Sequence, residues 1–122
     1  MGFPSPSQDF LEERINLQEL IVVHPSATYF MRVGNDAMLG DCIRSGMLAV
    51  IDRSIKPQIG FILVVNWEGE LIMRRLEKTE GQYFLSASNP KFKKIPVTGK
   101  LHCWGVVSVT IANPNEIPFI KL

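Results

Sequence analysis

Short apolar runs separated by turn residues predict a mostly β protein. β-branched and aromatic residues dominate these runs, as they do in strands. The predicted strands cover residues 28–33, 47–52, 61–67, 70–76, 82–85 and 101–111. Run 61–67 is apolar almost throughout, which is typical of a strand covered on both faces. Glu68-Gly69 and Glu80-Gly81 lie between consecutive runs, so the sequence predicts two hairpins.

Run 101–111 is the longest predicted strand, and its alternation assigns residues to two faces. The face predicted to be core carries Leu101, Cys103, Val107, Val109 and Ile111. The opposite face carries His102, Trp104, Val106, Ser108 and Thr110. Because Trp104 and Val106 are large and apolar among polar neighbours, we expect a partner to cover that face.

The N-terminal residues differ from the rest of the chain. Residues 1–8 contain two prolines and two serines, which predicts an extended arm. Residues 8–20 predict one or two short helical turns, and His24-Pro25 ends any helix there. The 122-residue length fits one domain, placed at residues 9–122.

Composition excludes several classes of protein. With 46% hydrophobic and 20% charged residues, the chain is expected to be a soluble globular protein. The net charge of +1 gives no general attraction to nucleic acid or anionic membranes. No secretory signal or membrane-spanning run is visible, so we expect a cytoplasmic protein with free thiols at Cys42 and Cys103. The two histidines and two cysteines lack metal-ligand spacing, and no cofactor is predicted.

Two polar segments interrupt the strand pattern. The segment Gly34-Asn35-Asp36-Ala37-Met38 has the composition of a turn, since Gly, Asn and Asp accept positive φ and bond their own backbone. Lys91-Phe92-Lys93-Lys94 is a short basic run with one aromatic residue. A solvated loop is the simple interpretation, and contact with nucleic acid or an acidic partner is the alternative.

Three segments, at residues 24–30, 33–40 and 73–76, together resemble the LexA/UmuD family of self-cleaving serine–lysine peptidases, and most closely its UmuD branch in the processed form. The first is His24-Pro25-Ser26-Ala27-Thr28-Tyr29-Phe30, a highly specific match. In the second, residues 33–40, the family pattern runs Gly-Asp-Ser-Met, and Ala37 stands at the serine. In the third, residues 73–76, the family has Val-Lys-Lys-Leu or Val-Lys-Arg-Leu, and Arg74 stands at the catalytic lysine. Arg74 shares a predicted strand face with the apolar residues Ile72 and Leu76.

The resemblance implies the family fold of bent, mainly antiparallel sheets with short N-terminal helical turns, and a lost activity. Ala37 has no oxygen with which to attack, and Arg74 stays protonated at any ordinary pH. Because losing the nucleophile alone removes activity, two independent changes indicate natural decay of the site more than design. Asn35, Asp41-Cys42 and Met47 also depart from the family pattern.

The resemblance also implies partners. The family forms homodimers, and Trp104 falls where it places an aromatic residue in the dimer contact. Its working partners are a UmuC-like Y-family polymerase and the RecA filament, with the sliding clamp as a further candidate. The polymerase contacts the DNA, so direct sequence-specific DNA binding is not expected.

Gly2 corresponds to the first residue of the processed family member, so the expectation is a chain encoded without its regulatory arm. Three functions follow. The first is an inactive accessory subunit of a translesion polymerase in the SOS response. The second is a genuine self-cleaving peptidase, truncated and disabled by a Ser-to-Ala change. The third is an antagonist that forms heterodimers with an active UmuD-like protein.

Overall fold

The computed structural model describes residues 16–115, and within them seven strands form one antiparallel sheet. The strands are β1 Thr28–Arg32, β2 Leu48–Asp52, β3 Ile62–Trp67, β4 Glu70–Thr79, β5 Gln82–Ser86, β6 Ile95–Pro96 and β7 Cys103–Ile111. Their order in the sheet is β1-β2-β7-β3-β4-β5-β6, so β7 lies in the interior of the sheet between β2 and β3. The predicted mostly β, antiparallel fold is confirmed.

Both predicted hairpins are present. Glu68 and Gly69 connect β3 to β4 with φ values of 51° and 81°. Glu80 and Gly81 connect β4 to β5 with φ values of 50° and 78°. Positive φ at both central residues is the type I′ geometry, whose twist matches that of the flanking strands. The glycine at the second position therefore fixes the register of each hairpin.

Apolar residues pack on both faces of the sheet. On β3, Leu63 and Val65 belong to one buried cluster and Val64 to the other. Since neighbouring residues of a strand point to opposite faces, the two clusters lie on opposite sides of the sheet. This confirms the prediction that run 61–67 is a strand covered on both faces.

The predicted face assignment of β7 is wrong because two bulges interrupt its alternation. Trp104 is the extra residue in the pairing with β3, and Ser108 is the extra residue in the pairing with β2. Each bulge shifts the following residues to the other face. Val106, which was predicted to point outward, is consequently only 4% exposed and packs with Leu63 and Val65.

The same bulges separate residues that were predicted to share the core face. Cys103 packs with the cluster of Leu63, whereas Val107 packs with the cluster of Val64. Trp104 lies against the latter cluster, so it is half-buried and not fully outward. Strand β4, with 10 residues, is also longer than β7, with 9, and residues 101–102 precede β7.

A short helix, α1, spans Leu17–Ile21, inside the region predicted to be helical. The Asn16 side chain caps it by accepting hydrogen bonds from the backbone N–H groups of Gln18 and Glu19. The chain then forms a 3₁₀ turn at Pro25–Ala27 before β1. The predicted arm at residues 1–8 and the remaining helical prediction up to residue 15 lie outside the described residues. Of the helices described, none is both long and apolar enough to cross a bilayer.

Candidate functional site

The loop between β1 and β2 carries the predicted nucleophile turn. Its ends are joined by two backbone hydrogen bonds, from Val33 N to Met47 O and from Gly46 N to Val33 O, both 2.8 Å long. Across the loop, the Asp36 carboxylate accepts a 2.9 Å hydrogen bond from Ser45 N. These bonds hold the loop as a closed unit at the end of the first two strands.

Ala37 occupies a fixed and buried position in this loop. Its N–H donates to the Asn35 side-chain oxygen at 3.0 Å, as in an Asx turn, and its carbonyl accepts from Ser88 N at 3.0 Å. Ala37 is 1% exposed, whereas Gly34 to Asp36 are exposed. The turn is therefore at the surface as predicted, but the side chain at position 37 points away from solvent.

The segment that follows β5 supports the turn from the other side. Asn89 Nδ2 donates to the carbonyl of Asp36 at 3.0 Å. A Cβ atom at Gly40 would lie 2.6 Å from the carbonyl oxygen of Ser88, too close for any side chain. Glycine at position 40 thus allows the loop and residues 88–89 to pack against each other.

Arg74 is a buried cation on β4. The residue is 6% exposed and pairs in register with Leu63, on the face that carries Ile72 and Leu76 as predicted. Its Nη1 donates to the carbonyl of Met73 at 2.8 Å, and its Cζ lies 5.3 Å from the centre of the Phe92 ring. Its Nε is buried and has no hydrogen-bond partner among the described residues. Burial lowers the pKa of Arg74 below its ordinary value, yet a guanidinium remains charged at any ordinary pH.

Residues 88–92 contact both predicted site positions. Ser88 and Asn89 hold the turn that contains Ala37, and Phe92 covers the Arg74 guanidinium. A 3.0 Å bond from Phe92 N to the carbonyl of Asn89 makes this segment compact. The arrangement offers a methyl group and a permanent cation, neither of which can attack a carbonyl or accept a proton.

His24 has a partner, Asp52, that the sequence pattern does not indicate. His24 Nδ1 and Asp52 Oδ2 are 2.6 Å apart, and the Asp52 side chain is 4% exposed. Ser54 donates to Asp52 Oδ1 from its hydroxyl, at 2.6 Å, and from its backbone N–H, at 2.9 Å. Because the serine hydroxyl bonds to the aspartate, this Ser–His–Asp combination is not a catalytic triad.

Burial alone would raise the pKa of Asp52. The hydrogen bonds from Ser54 and His24, together with the charge that His24 carries when protonated, outweigh this effect and lower the pKa below its ordinary value. The cluster therefore fastens the segment before β1 to the end of β2 through an ionised carboxylate. An aspartate at the end of an apolar strand is the one sequence signal that could have indicated it.

Trp104, the predicted dimer-contact residue, contacts residues of its own chain. Its ring lies 5.2 Å from the Tyr29 ring in an edge-to-face arrangement, and the Arg53 guanidinium lies 4.4 Å from its centre. Arg53 Nε also donates to the carbonyl of Trp104 at 2.7 Å. Val106, the other predicted contact residue, is buried in the core. Of the two predicted contact residues, Trp104 is therefore the one with surface accessible to a partner.

The two cysteines and the 91–94 loop differ in how far their side chains are exposed. Cys42 is free and exposed, and Cys103 is free and half-buried. Burial raises the pKa of the Cys103 thiol, although its bond to the Gly105 carbonyl and the charge of Arg53 act in the opposite direction. The three lysines of the 91–94 loop are exposed, while Phe92 turns inward against Arg74. Among the described residues, no group of three or more His, Cys, Asp or Glu side chains is placed to hold a metal ion.

Known proteins similar to this chain include one protein family and several individual relatives. The model of a family described as peptidase S24-like matches residues 1–108. Protein MucA of Salmonella typhimurium is 35% identical over 109 residues, which are 88% of this chain and 75% of MucA. Protein SamA of Salmonella typhimurium is 34% identical over 110 residues, 90% of this chain and 77% of SamA. The LexA repressor of Shewanella piezotolerans is 28% identical over 96 residues, 79% of this chain and 46% of the repressor.

Proposed function

Because this chain belongs to the peptidase S24-like family, we propose that it is a catalytically inactive accessory subunit that works by binding other proteins. In this proposal it acts as a homodimer with a UmuC-like Y-family translesion polymerase during the SOS response. The RecA filament and the sliding clamp are its further protein partners, and the alternative function is that of an antagonist that forms heterodimers with an active UmuD-like subunit. The DNA is contacted by the polymerase.

The observation that carries the proposal is the chemistry at positions 37 and 74. The family's self-cleavage needs a hydroxyl nucleophile and a neutral amine as base. Here the same two positions carry a methyl group and a buried guanidinium stacked on Phe92. The hydrogen-bonded turn around Ala37 is nevertheless complete, which supports a retained scaffold without chemistry.

The first experiment restores the chemistry. The double variant Ala37→Ser with Arg74→Lys, fused to a cleavable family-type arm, should recover slow self-cleavage at alkaline pH, where more of the lysine is neutral. The two single variants are matched controls, and each should remain inert because it supplies one group of the two. Cleavage by the unchanged chain, followed by gel mobility and mass spectrometry, would contradict the proposed inactivity.

The second experiment tests the interface. Trp104→Asp should make the protein monomeric in sedimentation experiments and abolish co-purification with the polymerase subunit, because a carboxylate replaces apolar contact area. Leu71→Asp is the matched control, since Leu71 is a large exposed side chain on β4, and it should remain dimeric and bound. Circular dichroism spectra must show both variants folded. A folded Trp104→Asp dimer that still binds the polymerase would refute the assignment of Trp104.

A further inference from the structure

A groove runs along the surface between the end of β3 and the segment that leads into β7. It consists of two adjoining cavities, each about 310 Å³ in volume. The two cavities share the residues Asn66, Lys100, Leu101 and His102. Arg53 and Trp104 line only the first cavity, and Trp67 and Val97 line only the second.

The first cavity is cationic. Arg53, Lys100 and His102 line it, and its lining contains no acidic residue. Among the described residues, none of these three side chains forms a salt bridge. A carboxylate brought into this cavity would therefore gain hydrogen bonds and ion pairs without displacing an acid already present.

Arg53 is held in place without using its terminal nitrogens. Its Nε donates to the Trp104 carbonyl, and its guanidinium lies 4.4 Å from the Trp104 ring centre and 5.9 Å from that of Tyr29. Because the stem and the plane are fixed, little side-chain entropy is lost when the two terminal nitrogens bind a carboxylate. Arg53 is thus a preorganised receptor for a planar anion.

The second cavity has a different lining. Most of its lining surface is polar, and Trp67, which is 39% exposed, forms a smaller apolar part of it together with Val97 and Leu101. The acidic residue in its lining is Glu68, in the β3–β4 turn. An occupant of the whole groove would therefore present a negative charge to Arg53 at one end and a single apolar side chain to Trp67 at the other.

We propose that this groove binds a short segment of a partner protein in which acidic residues are followed by apolar ones. An acidic side chain would bind Arg53 and Lys100, and an apolar side chain would pack on Trp67. Nucleic acid fits less well, because the net charge is only +1 and Arg53 already covers the Trp104 ring on which a base would stack. The inference involves neither Ala37 nor Arg74, so it stands apart from the proposed loss of catalysis.

The two tryptophans of the chain provide the test, because both line the groove. The probe is a synthetic peptide of about eight residues with glutamates followed by leucine and phenylalanine, a length suited to extended peptide recognition. It should shift both indole N–H signals in ¹H–¹⁵N spectra, assigned with Trp67→Phe and Trp104→Phe. The same peptide with glutamine in place of glutamate should shift neither signal.

Variants locate the anion contact. Arg53→Gln should weaken binding of the glutamate peptide about tenfold, the loss expected for a charged hydrogen bond. Lys100→Gln, which leaves the Trp104 stack untouched, should weaken it about threefold, as expected for an exposed ion pair. Lys93→Gln makes the same change in net charge in the 91–94 loop and should alter the affinity by less than about twofold.

Four results would overturn the proposal. The first is that the glutamine peptide binds as tightly as the glutamate peptide, and the second is that an oligothymidine of the same length binds more tightly. The third is that neither Arg53→Gln nor Lys100→Gln weakens binding of the glutamate peptide. The fourth is that this peptide shifts neither indole signal. Sedimentation gives a further check. Because Arg53 stacks on Trp104, which belongs to the proposed dimer contact, the unchanged chain is sedimented with the glutamate peptide. If the peptide dissociates a dimer, the occupant of the groove is a second copy of the chain, and the proposed partner segment is wrong.

Discussion

Replacing Arg74 with methionine should stabilise the protein, even though the change removes a charged hydrogen bond and a cation–π contact. Arg74 is 6% exposed, it forms no salt bridge among the described residues, and its Nε has no partner there. A buried ion without an opposite charge costs several kcal/mol in desolvation, of order 3–5 kcal/mol after relaxation. Methionine removes this cost and keeps an unbranched apolar stem of similar length.

The opposing contributions are smaller. The hydrogen bond from Nη1 to the Met73 carbonyl is worth about 1.5–3 kcal/mol as a charged bond. The contact with Phe92 adds about 1–2 kcal/mol, of which a methionine sulfur on the same ring recovers about 0.3–1.5 kcal/mol. The balance favours Arg74→Met by about 1 kcal/mol, or about 3–5 °C in Tm for a chain of this length.

Arg75→Met is the matched control, on the next residue of the same strand. Arg75 forms an ion pair with Asp41 and a hydrogen bond to the Gly60 carbonyl, and its side chain is 31% exposed. Its charge is therefore both paired and partly hydrated, so its loss should destabilise by about 1 kcal/mol. Two adjacent arginines are thus predicted to give effects of opposite sign.

Urea unfolding at neutral pH, followed by far-ultraviolet circular dichroism, measures both variants against the unchanged chain. The midpoint should rise for Arg74→Met and fall for Arg75→Met, with equal slopes. If Arg74→Met instead lowers the free energy of unfolding by about 1 kcal/mol or more, the charge of Arg74 must be compensated in the folded chain. The argument that Arg74 is an unpaired buried cation would then be refuted.

Two further predictions concern the sheet. Asp52→Asn should destabilise by about 1.5–3 kcal/mol at neutral pH, because it removes the charge that bonds to His24. Since hydrogen bonds lower the pKa of Asp52 in the folded state, its contribution is complete above the unfolded value of about 3.9 and disappears as the pH falls through the lower folded value. Urea unfolding at decreasing pH measures the difference in the free energy of unfolding between Asp52→Asn and the unchanged chain. If this difference does not shrink in acid, the reasoning is contradicted. Gly105→Ala should lower the free energy of unfolding by about 1–3 kcal/mol, because the new Cβ would lie 2.5 Å from Ile51 Cγ2. Gly34→Ala is the control, since there is open space around its Cβ, and it should change the urea unfolding midpoint little.

Local patterns predicted most of the strands correctly. Each Glu-Gly pair sets a type I′ turn, and the turn together with the flanking apolar runs fixes the pairing of β3, β4 and β5. The position of Ala37 in a hydrogen-bonded turn was also predicted, because Asn35 and Asp36 bond to nearby backbone in the way that their residue types favour. These features depend on residues close in sequence, so the sequence alone reveals them.

The faces of β7 could not be predicted because the bulges at Trp104 and Ser108 arise from pairing with two different strands. Glycine at position 105 gives a local hint, but its role depends on the approach of Ile51 from β2, which is distant in sequence. The His24–Asp52 bond likewise joins residues 28 positions apart. Both features are consequences of tertiary contacts, and alternation within one strand carries no information about them.

The hydrogen bonds around Ala37 are compatible with the proposed loss of chemistry in a retained family scaffold. The turn is held by the side chains of Asn35, Asp36 and Asn89 and by the Ser88 backbone, and none of these bonds involves the side chain at position 37. Serine and alanine therefore leave the loop's supports equally satisfied, and a methyl group in this buried position avoids the cost of an unpaired hydroxyl. In the proposed function, the partner contact at Trp104 belongs to strand β7 and needs no peptidase chemistry.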